Sequence, residues 1–437
     1  VARVTGFFLF LLFVEDWDAA YNTKPSTLFA PFSWVYDLLI EPTPIKLRPV
    51  DLIFLVILLV ASLRGKKAGA PLVAPMKHSL WLIVVTTIVC AANGLARGGD
   101  FRHASWQTYL IMSTVLVVFT VAATCRTVAD FCGLGYWLMA AAVYRATMCW
   151  LSYFTWGNNL VGTGGAYLTS HDDTILWVVS ILVLLVDAVD KPSIGRSLRN
   201  GATIFFLLGA IQWNSRRLAW VSLAMGLGVL YALFPAGRAK RRINLVGWFA
   251  LPLLLVYVAV GWGRGTGIFL PLRALSTVST EEDASTLARN AENLGLMYTA
   301  NHSGYLLGTG WGRPYFPVTM KYDISLFELW QYIPHNSILG LLTFTGFLGF
   351  AGFWMAFPTA VFLNTRVASL SADARARKVA MIGAAQMVVC ANQLYGDMGI
   401  FSAKAMYVMA VSYAMALRLP GLAGVWNAPT PRVRAPV

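Results

Sequence analysis

The residues best suited to chemistry stand where apolar runs begin. In IPHNSILGLLTFTGFLGF, residues 333–350, His335 and Asn336 precede a stretch apolar and long enough to enter a membrane. An imidazole gains and loses a proton near neutral pH, so at an interface it can act as a general base towards a hydroxyl. The competing use is structural: Pro334, Asn336 and Ser337 are residue types that turn a chain and cap a helix start. Upstream, Asn214-Ser215-Arg216-Arg217 sets two guanidinium groups side by side at a helix boundary. A guanidinium fork matches phosphate oxygens, and an interfacial Arg is a functional candidate by default. Plain snorkelling to lipid headgroups is the alternative. Arg273 and Arg289 lie between the two motifs, and each alone reads as a solvated face or a salt bridge.

Other motifs are weaker. Gly308-Thr309-Gly310-Trp311-Gly312, in YLLGTGWGRPY, has the glycine content of a phosphate loop. No Lys-Ser/Thr follows it and no strand precedes a helix there, so a nucleotide site is not supported. A tight turn that brings backbone close to a substrate or to another helix fits better. Two acidic clusters, Glu15-Asp16-Trp17-Asp18 and His171-Asp172-Asp173, contain the oxygen ligands that divalent cations favour. They lie far apart in sequence, and the expectation is that no metal is held. Cys90, Cys125, Cys132, Cys149 and Cys390 form no C-x-x-C pair and read as buried inert thiols.

The elements that must position these residues are membrane helices. Of the 437 residues 57% are hydrophobic and 12% charged, against about 25% charged in a soluble domain. The apolar residues come in blocks such as LIFLVILLVASL and TILWVVSILVLLV rather than in stripes. A net charge of +14 would suit nucleic acid, but the cations sit in short loops between apolar blocks, so no nucleic-acid partner is expected. VTGFFLFLLFV lacks a convincing small-residue cleavage site and reads as a retained first helix rather than a signal peptide. The first residue is Val, as in a sequence lacking its first few residues or using an unusual start codon.

Twelve crossings are expected, near 2–14, 49–63, 79–96, 107–124, 133–154, 174–189, 201–213, 218–235, 243–262, 336–363, 379–395 and 398–418. The split at 214–217 is the weakest. With this count the basic clusters at 64–67, 191–199, 238–242 and 366–378 fall on one side with both termini, which makes that side cytoplasmic. Residues 264–335 then form one large external loop, with five Lys/Arg and six Asp/Glu. Loops of that length are usually functional. Within it, TEEDASTLARNAENLGLMYTA reads as a helix starting at Thr280. Three regions follow: helices one to nine over 1–263, the loop over 264–335, and helices ten to twelve with a tail over 336–437. His335 stands where the loop re-enters the bilayer. Gly346 and Gly349 permit close packing of the helix that follows.

The run GTGWG, about twenty residues, then HNSILGLLTFTGFLGF resembles the signature region of the O-antigen ligase and O-antigen polymerase superfamily. NSRRLAWVSLAMGL resembles that family's Ser-Arg motif before the loop, and STLARNAENLGLMYTANHSGYLLGTGWG resembles its loop segment with an upstream Arg. The likeness covers roughly residues 205–365. Arg216-Arg217 is a doublet where the family has one Arg, and the loop Arg is not in clear ligase spacing. The resemblance implies an all-α, GT-C-like polytopic protein of the bacterial inner membrane with a periplasmic site. It implies a metal-independent glycosyltransferase without a cofactor. The donor would be an undecaprenyl-pyrophosphate-linked glycan, and the acceptor a growing glycan or lipid A core. Membrane lipids surround such a protein, and a chain-length regulator is a conceivable partner. On that footing His335 deprotonates the acceptor hydroxyl, and Arg216 or Arg217, with Arg289 and Arg273, holds the pyrophosphate. Gly308, Gly310, Gly312 and Asn336 shape the substrate side of the loop. Two rivals remain open: a metal-dependent glycosyltransferase using Glu15, Asp16 and Asp18, and a transporter or flippase of lipid-linked glycan, which would call for mid-helix charges such as Arg145.

Overall fold

Backbone polar groups have no water to bond within a bilayer, so an apolar block must satisfy them internally, and a helix does so within one segment. The computed structural model describes residues 1–15, 48–64, 71–160, 168–190, 193–214, 216–262, 264, 269, 272, 284–318 and 329–426, and every long element among them is a helix. In chain order these are α1 (Ala2–Val14), α2 (Pro49–Leu63), α3 (Ala74–Ala96), α4 (Phe101–Thr124), α5 (Val128–Leu160), α6 (Asp173–Asp190) and α7 (Ile194–Trp213). There follow α8 (Arg217–Leu233), α9 (Arg238–Gly261), α10 (Ala284–Ser303), α11 (Ser337–Trp354), α12 (Ala356–Leu370), α13 (Ala374–Gly396) and α14 (Ala403–Leu422). Helix stands at each of the twelve segments expected from hydropathy. The interruption at NSRR is a helix break, with α7 ending at Trp213 and α8 starting at Arg217.

Six helical stretches among the described residues are long and apolar enough to cross a membrane: 74–96, 101–124, 240–261, 337–370, 374–396 and 403–422. Their outward faces are apolar as well. On α9 the side chains of Trp248 and Leu253 are 76% and 72% exposed. A helix this apolar and this exposed needs lipid around it. The protein is an all-helical membrane-embedded chain.

At the centre runs α14, buried from Ala403 to Pro420. Ala405, Ala410, Ser412, Ala414 and Ala416 keep it slender, so neighbouring backbones can come close. It packs on α4, α12 and α13. The segment expected as one crossing over 336–363 departs from that expectation. It is longer, spans 337–370 as α11 and α12, and is broken at Gly346, whose φ of 59° and ψ of −165° no helix contains. The freed backbone groups are taken up by the loop before it: Phe347 N donates to Tyr305 O (2.7 Å) and Leu348 N to Leu306 O (3.0 Å), while Thr309 N and Gly310 N donate to Thr343 O (3.0 Å) and Phe344 O (2.8 Å). A short run of loop is thus laced into the gap in a membrane helix.

The glycine turn is the other side of this lacing. Gly308, Gly310 and Gly312 have φ of 60°, 85° and 87°. Trp311 N donates to Cys90 O on α3 (3.2 Å), and Gly312 N to Gln107 Oε1 on α4 (2.6 Å). At Gly310 a Cβ would land on the backbone of Gly94 in α3, so two glycines meet with no room between them. The close approach that the turn permits is to helices. Gly310→Ala is expected to destabilise the protein by about 2–4 kcal/mol, adding left-handed strain to overpacking. Gly98→Ala, with a φ of 80° but open space around it, should lose only the strain part. Thermal unfolding of the two purified variants in detergent compares them, and equal losses would contradict the packing argument.

Candidate functional site

The loop helix α10 delivers two side chains one turn apart, Arg289 and Glu292, to the same face. Phe316 and α11 hold this helix in place: Phe316 N donates to Thr299 Oγ1 (2.7 Å), and Thr343 Oγ1 on α11 donates to Leu296 O (3.2 Å). Glu292 is 1% exposed at its side chain and points at His335. The backbone N of His335 donates to Glu292 Oε2 (3.0 Å), and Nδ1 lies 3.3 Å from the same carboxylate. A carboxylate at Nδ1 favours the tautomer with the proton there, which leaves Nε2 as the basic nitrogen. The His335 side chain is 30% exposed, so it can be reached from outside. Next to Glu292, burial first and the carboxylate's charge second push the Tyr315 phenol well above its ordinary range, which keeps it neutral.

Asn336 is the N-cap of α11, its side chain accepting from Leu339 N (3.1 Å). The structural role weighed for Pro334-His335-Asn336-Ser337 therefore holds for Asn336, while His335 just outside the helix keeps its ring for other contacts.

The turn between α13 and α14 completes the arrangement. Met398 N donates to His335 O (2.7 Å), and Ile400 N donates to Ser337 Oγ (3.2 Å). Met398 has a φ of 48°, the one non-glycine residue with a positive φ among the described residues. Strain of this kind, about 1–3 kcal/mol, persists only where surrounding contacts enforce it. It aims the preceding residue, Asp397, inward: the side chain is 8% exposed. Two guanidinium groups converge on that carboxylate. Arg216 Nη1 lies 3.6 Å from Oδ2, and Arg289 Nη2 lies 3.9 Å from Oδ1. These are ion-pair separations, longer than the 2.7–2.9 Å typical of charge-assisted hydrogen bonds.

The contacts close a ring. His335 touches Glu292, Glu292 shares a helix turn with Arg289, Arg289 reaches Asp397, and Met398 returns to His335. Of the sequence doublet, Arg216 reaches Asp397; Arg217 is the first residue of α8 and half-buried. Arg273 lies outside the described residues. Gly308, Gly310 and Gly312 join the site indirectly, by fixing the chain between α10 and α11. Glu292 and Asp397 are the members that sequence reading missed. Glu292 could have been found from its spacing of three from Arg289, and Asp397 from being a carboxylate in a very short turn, YGDMG, between two apolar helices.

The acidic clusters take other roles. Asp173 is fully buried and bonded to Arg145 and Lys404. Asp16 and Asp18 lie outside the described residues. Among the described residues no three His, Cys, Asp or Glu side chains gather as metal ligands. The five cysteines are free thiols, four of them buried. No protein-family profile matches the chain, and no curated protein matches it in sequence.

Proposed function

We propose that this chain is a metal-independent glycosyltransferase of the O-antigen ligase and polymerase type. It would move an undecaprenyl-pyrophosphate-linked glycan onto the hydroxyl of a glycan acceptor, either a growing chain or lipid A core. The observation that carries the reading is the convergence of Arg216 and Arg289 on Asp397, in a turn joined to His335, whose imidazole is held by the buried carboxylate of Glu292. A site for this reaction needs a base and fixed cations for a leaving pyrophosphate, and both kinds of group are present here.

In the proposed step the acceptor oxygen attacks the anomeric carbon, and its proton passes to Nε2 of His335. The bond from that carbon to the pyrophosphate oxygen breaks. Undecaprenyl pyrophosphate departs with the bonding pair, its added charge met by Arg216 and Arg289. Fixed guanidinium groups in a partly dry site need no reorganisation as the charge develops. The lipid pyrophosphate is already activated, so no nucleotide is required on the outer side. With the twelve crossings and cytoplasmic termini expected from the sequence, this chemistry would lie at the periplasmic face of a bacterial inner membrane.

A transporter remains the second reading because α11 is discontinuous, and broken helices line substrate paths in transporters. At Gly346, however, the freed groups bond to residues 305–310 rather than facing a cavity, which favours a role in holding the loop.

The test is a reaction in detergent with undecaprenyl-pyrophosphate-linked repeat units, EDTA and no second acceptor. A ladder of longer lipid-linked glycans is the result expected of a polymerase, and a product only after lipid A core is added is that of a ligase. Product that appears only when a divalent metal is restored would overturn the metal-independent reading.

A further inference from the structure

At the end of the bundle away from His335 lies a cavity of about 1020 Å³ between α1, α5, α6, α7, α13 and α14. Helix α13 measures the separation: Arg375 at its start lines the cavity and Asp397 follows its end. Its 23 residues correspond to about 35 Å of helix, one bilayer thickness.

The cavity is amphiphilic along its depth. Its mouth carries Arg196 and Arg199 from α7 and Arg375 and Lys378 from α13, four cations against the two carboxylates Asp187 and Asp373. One carboxylate is already engaged, with Arg196 Nη1 3.9 Å from Asp187, and the other caps α13 by accepting from Arg375 N (2.8 Å). The shaft behind is apolar, walled by Leu138, Val183, Val411 and Met415. Arg375 at the mouth and Gln386 at depth both line it, and eleven residues of helix span about 17 Å. Half of a hydrocarbon core is about 15 Å. The shaft is therefore as deep as one leaflet.

We propose that this cavity holds an anionic phospholipid of the leaflet opposite His335, with its phosphate among Arg196, Arg199, Arg375 and Lys378 and an acyl chain in the apolar shaft. The surplus of cations selects an anionic head, and the leaflet-deep shaft selects a chain over a soluble anion. Of the segments outside the described residues, those on the expected cytoplasmic side bring no counter-charge. Residues 65–70 and 427–437, outside the described residues, contain Lys66, Lys67, Arg432 and Arg434 and no Asp or Glu. Juxtamembrane cations attract anionic lipid by about one fivefold step in affinity each.

Gly135 offers a clean probe. It lines the shaft, and a Cβ there would meet nothing within 4 Å, so Gly135→Phe fills the cavity without a clash at its base. Delipidated protein is given dioleoyl-phosphatidylglycerol, dioleoyl-phosphatidylcholine or inorganic phosphate, and bound species are counted by native mass spectrometry. The wild type is expected to keep one phosphatidylglycerol through detergent exchange. Gly135→Phe should lose it, and the double variant Arg375→Gln/Lys378→Gln should bind it about thirty-fold more weakly. Equal retention of phosphatidylcholine would overturn the proposal, since the head would not be read. Unchanged binding in Gly135→Phe would do so too, marking an annular lipid, and so would displacement by inorganic phosphate alone. None of these readouts depends on glycosyl transfer.

Discussion

A His335→Gln protein is expected to insert and melt like the wild type while its turnover falls by about three orders of magnitude. General-base contributions run from about 10² to 10⁴, and glutamine cannot take a proton from an acceptor hydroxyl. The fold should survive because the structural bonds at this position are made by the backbone: His335 N to Glu292 and Met398 N to His335 O. A companion variant separates the base from the group that orients it. Glu292→Gln keeps a hydrogen-bond partner for the ring but removes the charge that selects the Nδ1 proton. It should lower kcat by about 10², leave the donor KM unchanged, and lose nothing further when combined with His335→Gln, because the two act as a unit. Arg289→Gln, at a side chain 37% exposed, should instead raise the donor KM. Single-turnover assays with a lipid-pyrophosphate donor measure all three. A fully active His335→Gln enzyme would end the proposed mechanism, whatever the arginines do.

How far these residues could be seen in the sequence depended on the kind of signal each carries. His335 and Arg216 stand out because an ionisable group beside an apolar run is expensive to keep there. The helices were visible for the related reason that a bilayer forces apolar blocks of fixed length. Asp397, in its short turn between apolar helices, carries the same mark, but the mark does not say what the carboxylate meets. Its meaning comes from the packing of α8, α10 and α13, segments up to 181 positions apart in the chain, and hydropathy says nothing about which helix ends meet. The same limit hides the pairing of Gly310 with Gly94: the first lies in a recognisable turn, but the second sits inside an ordinary helical run, AANGLA. The break at Gly346 was invisible for another reason, since apolar content is unaffected by a backbone dihedral. Gly349, by contrast, does what its spacing suggested: its Cβ position is filled by Thr345 and by Cys90 of α3.

Asp173→Asn should be the most damaging single change to stability, at about 3–5 kcal/mol. Asp173 opens α6, where the helix N-terminus already favours a negative charge. Its carboxylate accepts from Arg145 Nε (2.9 Å) and Nη2 (2.7 Å) on α5 and from Lys404 Nζ (2.5 Å) on α14. All three side chains are 0% exposed. One carboxylate thus ties three helices together near the core of the bundle, and Arg145 Nη1 adds a bond to Val14 O at the end of α1 (3.2 Å). Asparagine matches aspartate in shape, so packing is kept and only the charge is removed. Two buried cations then lose their shared anion, and removing one member of a buried ion cluster is far worse than never having built it. That asymmetry supplies the check. Lys404→Met in the Asp173→Asn background should recover part of the lost stability, because it removes an uncompensated ammonium, whereas independent sites would only add their losses. Thermal unfolding of the four proteins in detergent completes the cycle. If the losses simply add, the cluster is not an electrostatic unit, and Arg145 would again have to be explained as a charge on a path through the membrane.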